Sequence, residues 1–179
     1  MQKIIFLVGF PGCGKGTVAK FAHGYRKFAF GDIFREECKR RYGKINPVLM
    51  EKTVKWFHTG NRPRLLSKRM WARVKPHKKV IIDGCRNKLQ FQEFVRLSKV
   101  KPIVVYVYSP RSFRYKLMAS RGRSDFSGYK YLIEREQREL KQGLAWMLTQ
   151  VNYRVSNRST KAQLRTRALK LFRKIEKDF

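Results

Sequence analysis

Near the start of the chain, residues 4–17 read IIFLVGFPGCGKGT. Gly9, Gly14 and Lys15 fit the spacing G-x-x-x-x-G-K, with a further glycine at Gly12. Glycines let backbone N–H groups, here those of Gly12, Cys13, Gly14 and Gly16, turn inward onto phosphate oxygens. A helix beginning near Lys15 adds the positive end of its dipole. The Lys15 ammonium then reaches β- and γ-phosphates. The chemistry implied is the binding of a nucleoside triphosphate. One position departs from the usual pattern: Ser or Thr normally follows the lysine and holds magnesium, but here Gly16 follows, and Thr17 comes one place later.

A phosphate loop needs a buried strand before it and a helix after it. The run KIIFLVG, residues 3–9, reads as that strand, and Lys15 to Tyr25 as the helix. Three more apolar runs read as strands: KVIIDG at 79–84, KPIVVYVYSP at 101–110 and, more weakly, NYRVSN at 152–157. They are β-branched or aromatic, do not alternate and are well separated, as in a parallel sheet covered on both faces. Helical segments lie between them: Asp32 to Tyr42, Pro47 to His58, Arg64 to Val74, Leu89 to Leu97, Arg111 to Ser120 and Tyr129 to Leu148. A last helix, Lys161 to Lys177, places Leu164, Ala168, Leu171, Phe172 and Ile175 on one face. The expected fold is a three-layer α/β/α domain spanning residues 1–179, without repeats or linkers.

The stretch GFPGCGKGT resembles the loop of adenylate kinases and other nucleoside monophosphate kinases, in which Lys-Gly-Thr is the normal ending. The resemblance implies that Thr17 reaches a phosphate oxygen and shares in the magnesium site. The ion would then be held mainly by phosphates and water. Two further stretches match the family in order. FGDIFREE, residues 30–37, resembles its GD-x-x-R stretch, which places Asp32 and Arg35 at the acceptor phosphate. VIIDGCRN, residues 80–87, resembles its DG-x-P-R stretch. Asp83 then falls at the carboxyl end of a strand, where open parallel sheets bind ligands, and is the candidate acid for magnesium-bound water. Arg86 matches the second acceptor arginine. The family's proline is missing and the stretch is one residue shorter, closer to dephospho-coenzyme A kinase-like and archaeal nucleotide-kinase-like P-loop proteins.

The resemblance also implies acceptor-binding helices over about residues 31–78 and a short lid over about 119–130. Phosphoryl transfer needs positioned cations and exclusion of water more than a protein nucleophile. Arg121 and Arg123 fall in a Gly- and Ser-containing turn suited to a lid, with Arg135 and Arg138 on the next helix. Leu117 stands where the family has another arginine; Arg114 and Lys116 are nearby. In SNRST, residues 156–160, Asn157 matches the loop beside the donor base. The aromatics Trp56, Phe57, His58 and Trp71 either stack on an acceptor base or fill the core.

Composition sets the outer bounds. Hydrophobic residues make up 42%, enough for a core. Lysine and arginine total 43 against 12 acidic residues, a formal net charge of +31. Such a charge either coats the surface uniformly or serves a polyanionic partner. Cys13, Cys38 and Cys85 show no C-x-x-C spacing, so neither a zinc site nor a disulfide framework is indicated. The apolar run at the start is too short for a signal or a membrane span. A soluble cytoplasmic enzyme is expected, using ATP and magnesium to phosphorylate a nucleotide-like acceptor such as a nucleoside monophosphate or dephospho-coenzyme A. The alternative is an RNA-associated ATPase or a polynucleotide 5′-hydroxyl kinase that uses the basic surface.

Overall fold

A computed structural model describes residues 2–120 and 127–178. Its centre is an all-parallel five-stranded sheet, β1 (Lys3–Val8), β2 (Arg26–Ala29), β3 (Lys79–Asp83), β4 (Ile103–Tyr108) and β5 (Tyr153–Ser156). The order across the sheet is β2-β3-β1-β4-β5. The central strand β1 aligns Leu7 with Asp83 of β3, and Val8 with Tyr106 of β4. Alternate residues of the central strands enter separate cores. Phe6, Val8, Ile82 and Val104 pack on one face, while Ile5, Leu7, Ile81 and Val105 pack on the other. Burial on both faces explains why these strands are continuously apolar in sequence.

Helices α1 (Lys15–Lys20) and α9 (Lys161–Asp178) cover the second face, through Val18, Leu164, Ala168 and Phe172. The first face is covered by α2 (Phe30–Tyr42), α3 (Pro47–Phe57), α4 (Arg62–Val74), α5 (Lys88–Ser98) and α8 (Leu144–Thr149). Helices α6 (Arg111–Ala119) and α7 (Tyr129–Lys141) follow β4 and precede α8. Glu176 fastens α9 to the sheet: it takes bonds from Tyr25 (2.5 Å), Lys79 (2.9 Å) and Lys3 (3.1 Å).

Three expectations change. Strand β2 was not visible among the apolar runs, because RKFA is short, pairs only with β3 and has two exposed residues. Helix α1 stops at Lys20 rather than Tyr25. The single long helix expected over Tyr129 to Leu148 is two helices, parted at Gly143. Gly143 has φ of 108°, and a Cβ there would lie 2.6 Å from the Arg86 carbonyl oxygen. The break lets the chain press onto the loop after β3, and it sets the position of the end of α7.

Candidate active site

The phosphate loop is shaped by two close approaches. Gly9 has φ of 146°, and a Cβ would sit 2.5 Å from the Val107 carbonyl oxygen. Gly14 is the left-handed residue at which α1 begins, and a Cβ would meet Asn157 Nδ2 at 2.6 Å. The N–H groups of Thr17 and Val18 both close on the Gly14 carbonyl, at 2.9 and 3.0 Å.

Two buried side chains brace the loop from beneath. Asn157 Nδ2 donates to the Cys13 carbonyl at 3.0 Å, while its own N–H donates to Tyr108 O at 2.7 Å. Sequence resemblance put Asn157 beside the donor base; here its amide holds the loop, outside the pocket lining. Arg114 donates through Nη1 to the Pro11 carbonyl (3.2 Å) and through Nε to the Ser109 carbonyl (3.0 Å). Its charge is met by Glu136 of α7 at 2.5 Å, and Glu136 also pairs with Arg111 at 2.8 Å. Arg114 is 4% exposed, so it supports the loop and does not stand in for the lid arginine missing at Leu117.

Above the loop, at the carboxyl ends of β1 and β3, lies a pocket of about 570 Å³. Its walls include Gly12 to Thr17, with Arg35, Asp83, Arg86, Arg135 and Glu139. Lys15 Nζ lies over the loop, donating to Gly9 O at 2.7 Å and Phe10 O at 3.4 Å, with Cys13 Sγ at 3.7 Å. Burial alone would lower the Lys15 pKa, but the facing Cys13, Asp83 and Glu139 outweigh it and hold the ammonium above its usual range. Burial pushes the Cys13 thiol up, against the pull of Lys15 beside it.

Asp83 is the last residue of β3 and lies between Leu7 and Ala29 in the sheet register. Its Oδ1 is buried and has no hydrogen-bond partner. An unmet buried carboxylate oxygen is costly unless a ligand supplies the donor. A water on a bound metal ion would supply such a donor. Among the described residues no cluster of three or more His, Cys, Asp or Glu could hold a metal unaided. Asp83 and Thr17 both line the pocket, the two residues that the sequence put at a magnesium ion.

Arg86 lines the same pocket, but its side chain is engaged. Its Nη2 donates to Glu139 Oε1 at 3.0 Å, and Nε lies 3.0 Å from Oε2. Burial works against both charges. Even so, Glu139 keeps the guanidinium pKa up, while Arg86 and Lys15 keep the carboxyl below its usual range. Arg35 lines the pocket while pairing with Asp32, its neighbour on α2, and both are about half exposed. Arg135 also lines it, whereas Arg138 turns away to Glu51 at 3.6 Å. Arg121 and Arg123 lie outside the described residues.

Sequence reasoning missed Glu139 and Glu136, and named Arg114 only as a neighbour of the absent lid arginine. One signal was present: Arg135 and Glu139, four apart on a helix, share a face. Glu139's partner Arg86 lies 53 residues away, a separation that no local pattern reveals.

An AAA-domain family model matches residues 8–128. A UPF0200 protein of Pyrobaculum aerophilum is 32% identical over 162 residues, covering 88% of each chain. A UPF0200 protein of Pyrococcus abyssi is 31% identical, covering 86% of this chain and 87% of its own. Among solved structures, the shikimate kinase of Acinetobacter baumannii in complex with shikimate superposes with a TM-score of 0.65 at 20% identity, covering 99% of this chain and 95% of its own. A gluconokinase of Sinorhizobium meliloti gives 0.63 at 14%, covering 98% and 94%. The five-stranded parallel sheet with flanking helices is the α/β P-loop kinase fold of these neighbours.

Proposed function

The chain belongs to the AAA-domain family matched over residues 8–128, and from that we propose that it is an ATP-dependent phosphotransferase acting on a small, nucleotide-like acceptor. The observation that carries this reading is the pocket itself: a phosphate loop with Lys15 faces Asp83, whose buried carboxylate oxygen is unmet, among Arg35, Arg86 and Arg135.

ATP would supply the γ-phosphoryl group, and a magnesium ion bound with it would offset charge on the phosphates. The loop N–H groups hold its phosphates in line. Lys15 moves from the Gly9 and Phe10 carbonyls onto the transferring group, where positive charge is most effective. Asp83 would hold water bound to the magnesium ion through its unmet oxygen. Arg35 and Arg86 hold the acceptor's phosphate and present its attacking oxygen, which belongs to a phosphate or a hydroxyl. Arg135, joined by Arg121 and Arg123, closes over the phosphates and excludes water.

The test is ADP formation by nuclease-treated protein. The acceptor panel comprises nucleoside monophosphates and dephospho-coenzyme A, with shikimate and gluconate as hydroxyl acceptors. Turnover that requires one nucleotide-like acceptor is expected, and Lys15→Ala should remove it. ADP release equal with every acceptor and with none, or full activity in Lys15→Ala, would sink the reading.

A further inference from the structure

Away from the pocket, on the outer side of α2 and α4, one buried carboxylate gathers more cations than it needs. Glu37 is 1% exposed. Arg40 meets it with two hydrogen bonds, Nε at 3.0 Å and Nη2 at 2.7 Å. Arg41 bonds the same carboxylate, and Arg69 of α4 adds a third guanidinium at 2.8 Å. One turn further along α4, Arg73 pairs with Glu36. Arg41 and Arg62 both lie over the Trp56 ring, 3.6 and 4.7 Å from its centroid. Five arginines thus stand against two carboxylates.

A single bidentate arginine neutralises a carboxylate. The additional guanidiniums repel one another unless a further anion lies over them. Each has five N–H donors and uses only some of them on Glu36, Glu37 or a carbonyl. The rest face outward, since the Arg40, Arg69 and Arg73 side chains are 66%, 37% and 33% exposed. Arg62, Arg69 and Arg73 follow a spacing of seven and four on α4, which sets them along one face over about 16 Å. A row of this length matches several successive phosphates better than one small anion. Its guanidiniums are already held by Glu36, Glu37 and Trp56, so little side-chain freedom is lost on binding.

We propose that this row, Arg40, Arg41, Arg62, Arg69 and Arg73, is a docking site for the phosphate backbone of a single-stranded nucleic acid. It is separate from the nucleotide pocket and does not depend on how that pocket works. With a net charge of +31, the chain as a whole attracts such a strand, and the row gives it a fixed place.

The test is fluorescence anisotropy of a labelled 20-nucleotide RNA, measured without ATP across a salt series. Arg69→Gln/Arg73→Gln is compared with Arg165→Gln/Arg173→Gln, which removes the same charge from exposed positions on α9. The α4 pair should weaken binding about tenfold and lower the slope of log affinity against log salt by about 1.4, at 0.7 per lost contact. The α9 pair should leave both nearly unchanged. Arg73→Gln alone, which keeps all three guanidiniums on Glu37, guards against misfolding and should lower the slope by about half as much. Equal losses from both pairs, no RNA binding by the parent protein, or loss confined to phosphatidylserine vesicles would overturn the proposal.

Discussion

Lys15 is the most exacting single residue. It is held charged among Asp83 and Glu139 and rests on two loop carbonyls that a bound phosphate would replace. Replacing it with Ala should cut ADP formation by at least about 10²–10³-fold, and the thermal midpoint should move by only a few degrees. It should also abolish the rise in thermal midpoint that ATP gives the parent, which is worth about 2.7 kcal/mol at one hundred times the dissociation constant. His58 offers a pH test. Burial and the nearby Arg86 pull its pKa down from 6.5 to about 4, and its Nδ1 is buried without a partner. The neutral ring is therefore the stable form in the folded state. Its contribution is fully present above pH 6.5 and is lost as pH falls towards 4. In His58→Gln, the fall in stability between those two values, read by urea unfolding, should flatten.

Among the elements, the junction of α7 and α8 matters most. Gly143→Ala would force a left-handed backbone onto an L-residue and push a methyl into the Arg86 carbonyl. A loss of about 2–3 kcal/mol is expected in chemical unfolding, with weakened acceptor binding because the Arg86 loop shifts. At the opposite face, Glu176 ties α9 to β1 and β3. Its pKa is lowered to about 2, foremost by the Tyr25 hydroxyl, with Lys79 and Lys3 adding to it against burial. That stabilisation is complete above about pH 4.5 and fades as pH falls towards 2. Glu176→Gln should therefore be less stable than the parent at pH 7 and equal to it near pH 2. These elements also show what the sequence could reveal. Strands β1, β3 and β4 were legible because burial on both faces writes a continuous apolar run. The loop was legible because glycine and lysine are needed at fixed local spacing. Strand β2 was not, since an edge strand needs little apolar surface. The α7–α8 break turns on a contact between Gly143 and Arg86, 57 positions apart, and so was hidden too. For the same reason Asn157 and Arg114 could not be read as loop supports: their partners are carbonyls of residues 13 and 11.

For the whole molecule, charge dominates. Forty-three cationic side chains in 179 residues repel one another, and the compact state concentrates that repulsion. Raising sodium chloride from about 20 to 500 mM shortens the screening length severalfold and should raise the thermal midpoint. A fall in midpoint over that range would mean that ion pairs such as those of Glu37 and Glu176 outweigh the repulsion. Among the described residues no helix is long and apolar enough to cross a membrane.

The Arg86–Glu139 pair has a consequence for affinity. Any anion that engages Arg86 meets a carboxylate already there, fixed to α7 at the distance of a bound ligand. Glu139 therefore behaves as a tethered competitor, present at an effective concentration that no dilution lowers. The affinity measured for an incoming anion is then the difference between two bonds to one guanidinium. A change on α7 that eases Glu139 away while sparing Arg135 and Glu136 would strengthen binding without altering a single residue that touches the anion.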